Sequence, residues 1–454
     1  MAITETFNVD GLVSVERGEI NRRIFSDQEI FDAEMELIFG RAWQFLCHES
    51  QIPKAGDFVE TPMGLDNVLA VRQKDGTIKG LLNTCMHRGN AVCRAEEGNT
   101  KAFMCTYHGW SYDLAGNLIG VPGIDRFYKG DLDKSEHGLA NVAQIESYSG
   151  FVFATLDPSA PPLADYLGPT GRLGIDLIAL QGDMEVIPGI QKFLIDCNWK
   201  FAVDNLFDWY HPQVTHMSAM ASGIIPPDPT TEVDVGGAQN TQGGDLDIPA
   251  GLGGSGIDEM TFLAEYGHAI GGPSAKGIGD AGGLIDHSWR QHPRVLEALG
   301  PVGAIVAGHP NIFPNSWIAT GTSQLSLRIP RSPNQTEIWW YSFVDKNVTE
   351  ERRKIAVMVA NHIFGPAGLL EQEDGENWSQ STMQTRGTAS RRIPQLLRMD
   401  LGRGKILRDD RGRARIEGTT NEHAQLWTYA AWAEWMKGTD WDTLRANTTP
   451  GEFA

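Results

Sequence analysis

The feature that most constrains this chain is a pair of short stretches that each combine one cysteine with one histidine. Both lie in LLNTCMHRGNAVCRAEEGNTKAFMCTYHGW, residues 81–110. One residue separates Cys85 from His87, and two residues separate Cys105 from His108. The intervening chain of 17 residues is long enough for a hairpin. Thiolate and imidazole groups at this spacing are typical metal ligands. The sequence therefore predicts two loops that hold one metal centre.

Two kinds of centre fit these four ligands. Tetrahedral zinc accepts two cysteines and two histidines, but zinc fingers usually pair cysteine with cysteine and histidine with histidine. A [2Fe–2S] cluster of the Rieske type has two cysteines on one iron and two histidines on the other. Mixed pairs therefore favour the Rieske cluster, with zinc as the alternative. The residues expected to be structural instead are Cys47, His48, Cys93 and Cys197.

Composition limits the partners and the compartment. The formal net charge of −20 leaves no basic surface for phosphates or anionic lipids, so neither nucleic acid nor membrane is an expected partner. The N-terminal residues MAITETFNVDGLVSVERGEI lack a basic segment followed by an apolar one, and no window reaches the roughly 18 apolar residues of a membrane span. Five cysteines in 454 residues suit a reducing compartment. We therefore expect a cytoplasmic protein.

Sequence patterning predicts three segments, residues 1–39, 40–157 and 158–454. The first contains the amphipathic helix candidate SDQEIFDAEMELIFGRAW, with Ser26 as N-cap and Glu29 at the capping-box position, and is expected to pack on the third segment. The second has β-prone runs separated by DG, EEGN and AGN turns, which is typical of a small antiparallel β domain. The proline-rich DPSAPPLADYLGP marks its end.

The third segment has an α+β pattern. SWIATGTSQLSLRIP and TEIWWYSFVD are β-like and TEERRKIAVMVANHIFG is helical, so we expect an antiparallel sheet backed by helices. Residues 223–283 hold 16 of the 51 glycines and are expected to form loops over a site. GLGGSG at 251–256 matches the G-x-G-x-x-G turn, but no buried strand precedes it, so no nucleotide site is expected there. Electrons would then come from another protein.

A second group of candidate ligands lies in DNLFDWYHPQVTH. Asp208 and His211 are three residues apart and would share a helix face, where the carboxylate could accept the imidazole N–H. His211 and His216 are five apart, about 140° off one face of an ideal helix, and Pro212 would allow a break there. Two histidines and one carboxylate form the facial triad of non-haem Fe(II) oxygenases.

The motifs described above resemble those of a known enzyme family. The cysteine–histidine pairs, HRGN after the first and GW after the second, resemble the Rieske motif of aromatic-ring-hydroxylating dioxygenases. The resemblance extends over nearly the whole chain and is closest to the large (α) subunit of naphthalene- and biphenyl-type dioxygenases. It implies a Rieske [2Fe–2S] domain, shielded by Trp110, and a helix-grip catalytic domain with a curved antiparallel sheet and a mononuclear Fe(II).

The resemblance also implies roles for residues that local patterns leave open. FGPAGLLEQEDGENW is by itself typical of a solvated loop, but it aligns with the family segment that supplies the third iron ligand. This implies Asp374, with Glu371 and Glu373 as alternatives. Asn205 would be a polar contact near the iron, although only two residues separate it from Asp208 where the naphthalene enzyme's motif has three. Asp208 would link His211 to His108 of a neighbouring α subunit.

The implied reaction adds both atoms of O₂ to an aromatic hydrocarbon (biphenyl, naphthalene or a larger polycyclic) to give a cis-dihydrodiol. Electrons would come from NAD(P)H through a reductase and a ferredoxin, and a small β subunit would complete an α₃β₃ assembly. Leu370, where the naphthalene enzyme has a bulkier aromatic residue, suggests room for biphenyl or three rings. Two alternatives are a Rieske monooxygenase or demethylase acting on a functionalised aromatic, and an electron carrier without the mononuclear iron. The implied wall of an apolar cavity includes Phe207, Met217, His309, Asn311, Phe364 and Leu370.

Overall fold

The computed structural model describes residues 7–222, 259–279 and 285–452. The chain divides into two compact units, one formed by Phe39–Leu163 and the other by Ile3–Ile38 together with Ala164–Ala454. Both units consist of antiparallel sheets with helices, so the predicted α+β class is confirmed. Within the described ranges no helix is long and apolar enough to cross a membrane.

The N-terminal segment begins with strands β1 (Val13–Ser14) and β2 (Glu19–Ile20) and continues into helix α1 (Gln28–Glu34). The predicted N-cap at Ser26 is wrong. Ser26 closes the preceding 3-10 turn, whereas Asp27 has the extended backbone of a capping residue and its carboxylate accepts the amide N–H of Glu29 at 3.0 Å.

The first unit is built from short antiparallel strands in three sheets. A four-stranded sheet has the order β6-β5-β4-β7, and two three-stranded sheets have the orders β10-β9-β8 and β11-β12-β3. The predicted EEGN turn is wrong, because three of its four residues, Glu97–Asn99, form an edge strand that pairs with β4. The strands are β3 Gln44–His48, β4 Asp57–Met63, β5 Asp66–Arg72, β6 Ile78–Leu82, β7 Glu97–Asn99, β8 Phe103–Met104, β9 Ser111–Tyr112, β10 Leu118–Gly120, β11 Gln144–Tyr148 and β12 Phe151–Thr155.

The second unit contains one long antiparallel sheet with the order β13-β20-β19-β18-β17-β16-β15-β23-β22, in which β20 also pairs with β14. A smaller sheet joins β1 and β2 to β21. The strands are β13 Met184–Val186, β14 Gln191–Ile195, β15 Glu259–Leu263, β16 Ala269–Pro273, β17 His309–Ile312, β18 Ser316–Ala319, β19 Gln324–Ser332, β20 Gln335–Asp345, β21 Gln395–Leu396, β22 Leu407–Arg408 and β23 Ala414–Glu417.

Helices cover this sheet and carry part of its core. Leu173 and Leu177 of α2 pack with Leu299 of α7 against Phe262 and Ile270 of the sheet. The helices are α2 Leu163–Ala179, α3 Trp199–Asp204, α4 Pro212–Thr215, α5 Met217–Ala221, α6 Ala275–Ile278, α7 Pro293–Gly303, α8 Glu350–Ile363, α9 Leu369–Thr385, α10 His423–Met436 and α11 Trp441–Asn447.

Part of the glycine-rich tract forms regular structure, so the predicted loops are wrong for β15 and β16. Glycine is needed in β16 for close packing between strands: a Cβ at Gly272 would lie 2.3 Å from Gly308 Cα, and Gly272 has a φ of +144°. Residues 223–258 and 280–284 of the tract, including the GLGGSG motif, lie outside the described residues.

Candidate metal centres

The two cysteine–histidine stretches form loops with the same backbone hydrogen bonds. In the first loop, Gly89 N–H donates to Cys85 O at 2.8 Å and Cys85 N–H donates to Asn90 O at 2.9 Å. In the second, Gly109 N–H donates to Cys105 O at 2.9 Å, and the Cys105 amide is bonded in the equivalent way. Both glycines have positive φ, +72° and +74°, which side-chain-bearing residues rarely adopt. Glycine four residues after each cysteine therefore shapes each loop.

The four predicted cluster ligands are brought together in this unit. The imidazoles of His87 and His108 have ring centroids 4.4 Å apart. Both cysteines are free and buried, and Cys85 is close enough to Cys105 to contribute to the lowered pKa of its thiol. His87 Nδ1 is buried without a hydrogen-bond partner in the described residues. Two thiols side by side and two imidazoles side by side match the donor set of a Rieske cluster.

The surroundings of Cys105 favour its ionised form. Burial raises the pKa of the thiol, but hydrogen bonds from the backbone of Tyr107 and His108 and from the Asn90 amide, together with Cys85, outweigh burial and lower the pKa overall. A thiolate is the form of cysteine that binds metal. Burial and the charges of nearby residues lower the pKa of His87, which keeps its ring nitrogens available as ligands.

Trp110, expected to shield the cluster, is buried and stacks on His87. The rings lie 5.0 Å apart and 6° from parallel, and only 5% of the Trp110 surface is exposed. Tyr112 contributes a second buried contact, because its hydroxyl lies 3.3 Å from Cys85 Sγ. The tryptophan ring therefore covers one face of the His87 imidazole.

The second candidate centre consists of His211, His216 and Asp374, whose ligand atoms all lie within 4.8 Å of one another. Asp374 Oδ1 is 3.3 Å from His211 Nε2 and 3.4 Å from His216 Nε2, and the two Nε2 atoms are 3.3 Å apart. Asp374 Oδ1 has no hydrogen-bond partner in the described chain. Two imidazole nitrogens and one carboxylate oxygen around one point fit the facial triad that binds non-haem Fe(II).

The local structure around His211 differs from the predicted helix. Residues 208–211 are not helical and Pro212 is the first residue of α4, so the helix is interrupted immediately before Pro212, where a break was expected. Asp208 Oδ1 accepts the amide N–H groups of Tyr210 and His211 at 2.9 and 3.2 Å, which folds a turn that leaves Asp208 Oδ2 3.5 Å from His211 Nδ1. Asp208 and His211 are therefore neighbours as predicted, but a turn brings them together instead of a helix face, and the expected hydrogen bond to Nδ1 is not formed within the described residues.

The pKa values of Asp208 and His211 are shifted in opposite directions. Burial lowers the pKa of His211, but the neighbouring carboxylates of Asp208 and Asp374 outweigh burial and raise it to about 10. Burial raises the pKa of Asp208, and its hydrogen bonds and the charge of His211 outweigh that effect and lower it overall. Two carboxylates therefore lie beside the His211 imidazole, and their negative charge favours either a proton on the ring or a metal cation bound to it.

The alternative carboxylates have other partners. Glu371 is 1% exposed and accepts a hydrogen bond from Arg328 at 2.6 Å. Glu373 Oε2 is 2.9 Å from His216 Nδ1, the nitrogen on the far side of the ring from Asp374. These residues lie on α9, so the run expected to be a loop from its composition is helical from Leu369 onward. Residue spacing on a helix could have indicated that Glu371 and Asp374 lie one turn apart.

An aromatic wall is built from strands and helix ends. Four residues on neighbouring strands pair in a row: Asn311 with Trp317, Trp317 with Ser326, and Ser326 with Trp340. Directly paired residues lie on the same face of a sheet, so Asn311, Trp317 and Trp340 share one face. Phe364, at the end of α8, stacks on Trp340 at 4.9 Å and meets Trp317 edge-on at 4.9 Å. The two tryptophans were not predicted, because strand register decides which residues share a face.

His309 connects this wall to Trp209, two residues before the candidate ligand His211. Its ring lies 5.1 Å from both Trp317 and Trp209, and the Trp209 indole N–H donates to Gly271 O at 3.0 Å. Burial, together with the charge of nearby His211, lowers the pKa of His309 to about 3. His309 is therefore neutral at physiological pH and suits a wall that contacts an apolar ring.

The remaining residues predicted for the site make fewer contacts with the candidate iron ligands and the aromatic wall. Phe207 is 2% exposed and its backbone lies against Gly271. Asn205 lies in the 3-10 turn Asn205–Phe207, and no side-chain hydrogen bond ties it to the candidate ligands within the described ranges. Met217 and Leu370 are half-buried at the starts of α5 and α9.

Comparisons with known proteins agree with this geometry. A family model for the Rieske [2Fe-2S] domain matches residues 42–146, and one for the catalytic domain of the ring-hydroxylating α subunit matches residues 175–437. The α subunit of biphenyl 2,3-dioxygenase from Rhodococcus jostii (strain RHA1) is 36% identical over 445 residues, which cover 96% of this chain and 92% of that one. The α subunit of benzene 1,2-dioxygenase from Pseudomonas putida (strain F1) is 34% identical over 456 residues, covering 97% and 96%.

A solved structure gives the same result. Naphthalene 1,2-dioxygenase with indole bound in the active site superposes with a TM-score of 0.83 at 29% identity, covering 98% of this chain and 97% of that one. The match to the Rieske domain excludes the zinc alternative for the first centre, and the catalytic-domain match excludes a simple electron carrier. The chain belongs to the Rieske non-haem iron aromatic-ring-hydroxylating dioxygenases, as a catalytic α subunit.

Proposed function

We propose that this oxygenase acts on an aromatic hydrocarbon of the size of naphthalene, biphenyl or a three-ring compound and converts it to a cis-dihydrodiol. The observation that carries the proposal is the aromatic wall beside the histidine–carboxylate group. A hydrocarbon offers no charge for recognition, so its binding energy must come from apolar and ring contacts. Phe364, Trp317 and neutral His309 supply such contacts.

We propose that Cys85, His87, Cys105 and His108 hold the [2Fe–2S] cluster and that His211, His216 and Asp374 hold the mononuclear Fe(II). When bound, the cluster supplies one-electron transfer and the mononuclear iron supplies O₂ binding and activation. Asp208 orients His211 through its Nδ1 atom, and the buried rings keep water away from the substrate face. Asn205, Met217 and Leu370 are assigned to the same site by family resemblance.

One observation favours a second candidate function, a Rieske monooxygenase or demethylase acting on a functionalised aromatic. Asn311 is 1% exposed, and both polar atoms of its amide lack a hydrogen-bond partner in the described chain. A buried amide without a partner costs about 1–3 kcal/mol, which a polar group on a substrate would offset. A hydrocarbon would leave this amide unpaired.

We also propose domain bounds, an assembly and a cellular location for this chain. We place a Rieske domain at residues 40–157, a catalytic domain at 158–454, and an N-terminal helical segment at 1–39 that packs on the catalytic domain. A small β subunit would complete an α₃β₃ hetero-oligomer in the cytoplasm, and a ferredoxin and reductase would deliver electrons from NAD(P)H. Mass determination of the co-expressed subunits and NADH-dependent turnover with added ferredoxin and reductase test these statements.

The substrate is tested by aerobic turnover of naphthalene, biphenyl and phenanthrene under ¹⁸O₂ with ferredoxin and reductase. A cis-dihydrodiol that contains two labelled oxygens is the expected product. A phenol with one labelled oxygen, or formaldehyde released from a methoxylated aromatic, would instead establish the monooxygenase or demethylase. Parallel assays with hydroxylated and methoxylated biphenyls separate these outcomes.

A further inference from the structure

Two adjacent carboxylates on α9 face opposite edges of one imidazole. Asp374 Oδ1 lies 3.4 Å from His216 Nε2, and Glu373 Oε2 lies 2.9 Å from His216 Nδ1. The His216 side chain is 5% exposed and that of Glu373 is 16% exposed, so water screens their contact only weakly. Neighbours on a helix point about 100° apart, which lets them reach the two edges of a ring that lies across the helix.

The second oxygen of Glu373 is also occupied. Ser218 Oγ donates to Glu373 Oε1 in a short hydrogen bond. Ser218 lies two residues after His216, at the start of α5, so a loop of contacts runs from the imidazole through the carboxylate to the adjoining helix. With one oxygen on His216 and the other on Ser218, Glu373 has a fixed orientation.

We propose that Glu373 is a positioning residue for the mononuclear iron: it accepts the Nδ1–H of His216, and Ser218 holds it in place. A proton on Nδ1 leaves the lone pair of Nε2 free to bind metal, so this hydrogen bond selects the tautomer and the ring plane that the ligand needs. On the other side of the site, Asp208 Oδ2 lies 3.5 Å from His211 Nδ1, a longer contact without a hydrogen bond within the described residues. Each histidine would then have its own carboxylate.

The inference rests on the proposed role of His216 as an iron ligand and goes beyond it. The competing explanation is that Glu373 only stabilises α9, as a half-buried helix residue. That explanation predicts a change in thermal stability without a change in metal affinity. Metal binding is therefore the measurement that distinguishes the two, and it requires neither substrate nor turnover.

The test compares Glu373→Gln with Glu376→Gln in the full-length oxygenase. Glu376 lies on the exposed side of the same helix, where it bonds only Gln380 within the described chain, so it is a matched control. Mononuclear iron is removed, Fe(II) is titrated back against a chelator of known affinity, and the cluster absorbance reports intact protein. We expect Fe(II) affinity to fall about 10- to 100-fold in Glu373→Gln and to stay unchanged in Glu376→Gln.

Ser218→Ala supplies a second variant that leaves the carboxylate in place. We expect a smaller loss of Fe(II) affinity than in Glu373→Gln, and a double variant no worse than Glu373→Gln alone, because the serine would act only through the glutamate. If the losses of Fe(II) affinity were additive in the double variant, Ser218 would not act through Glu373.

The outcomes separate this inference from the proposed function. Unchanged Fe(II) affinity in Glu373→Gln, beside a wild-type protein that binds its third iron, would overturn the positioning role alone. A wild-type protein that binds only cluster iron would instead refute the mononuclear site itself. Complete loss of iron in Glu373→Gln with retention in Asp374→Asn would make Glu373 a direct ligand and would also overturn the proposal.

Discussion

Arg328 and Glu371 form an ion pair that is almost completely removed from water: Nη1 and Oε1 are 2.6 Å apart, and each side chain is 1% exposed. The Arg328 guanidinium also lies over the rings of Trp317, Trp340 and Trp378, at 4.8, 5.2 and 5.4 Å from their centroids. Because Glu371 lies one turn before Asp374, this pair attaches the helix that carries Asp374 to strand β19.

We expect Glu371→Gln to destabilise the protein by about 3–5 kcal/mol, because the change leaves the Arg328 charge buried without its counter-charge. Asp183→Asn is the control: its partner is Lys346, the side chains are 64% and 44% exposed, and its cost should stay within about 1 kcal/mol. Denaturant unfolding of both variants measures the difference. If Glu371→Gln were as stable as the wild type, Arg328 would have found another partner.

The assignment of the iron ligands gives a second prediction. Asp374→Ala should reduce the iron content from about three to about two per chain while the spectrum of the [2Fe–2S] cluster is unchanged. His211→Ala and His216→Ala should do the same, whereas Glu376→Ala, on the exposed side of α9, should keep all the iron. Iron analysis and cluster absorbance are the two measurements. Full iron content in Asp374→Ala would transfer the ligand role to another residue.

A third prediction separates the ligand cysteines from the structural ones. Cys85→Ala should remove the visible absorbance and the rhombic EPR signal of the reduced protein, because the thiolate of Cys85 would hold one iron. Cys93→Ala is the matched control, since Cys93 lies in the same region and, among the described residues, its thiol only donates weakly to Ala95 O at 3.6 Å. A colourless wild-type protein with stoichiometric zinc would refute the cluster.

Asp208→Asn gives a fourth prediction. The amide keeps an oxygen that can accept from the Tyr210 and His211 backbone, but it loses the charge that favours a bound His211. We expect both metals to bind and turnover to fall about 10- to 100-fold. Single-turnover oxidation of the pre-reduced cluster, with substrate and O₂, measures electron delivery directly. An unchanged rate would limit Asp208 to orienting His211 and would contradict a link to a neighbouring subunit.

The sequence predicts the cluster loops well because the chemistry there is local. Cysteine, histidine and a left-handed glycine lie within five residues of each other in each loop, so spacing alone predicts which side chains meet. The prediction of a helix across Asp208 and His211 is wrong because a side chain competes with the helix for backbone hydrogen bonds. The Asp208 carboxylate binds backbone amides that a helix would otherwise use, and this competition is difficult to read from periodicity.

The rest of the site depends on contacts between distant parts of the chain. Asp374 lies 158 residues after His216, and only family resemblance connects them before the structure is known. Trp317 and Trp340 share a face because of the register of three strands, and Glu373 meets His216 because of the rotation of α9. Neither register nor rotation follows from composition or hydrophobic periodicity.

The last prediction concerns pH and Asp204, whose Oδ2 accepts the Tyr429 hydroxyl at 2.5 Å. Burial raises the pKa of Asp204 to about 8, with the charges of Asp208 and Glu422 in the same direction and Tyr429 and His211 opposed. An unfolded aspartate titrates near 3.9, so between about pH 4 and pH 8 the folded chain keeps a proton that the unfolded chain releases. The folded state therefore loses stability as pH rises through this range.

Asp204→Asn removes this titration and keeps an oxygen that can accept from Tyr429. We expect the variant to become progressively more stable than the wild type between pH 5 and pH 8, which thermal unfolding at several pH values would measure. Asp183→Asn, an exposed change, should show a constant difference from the wild type over the same range. A constant difference for Asp204→Asn as well would mean that Asp204 is ionised in the folded protein throughout, with its charge balanced by His211 rather than by a bound proton.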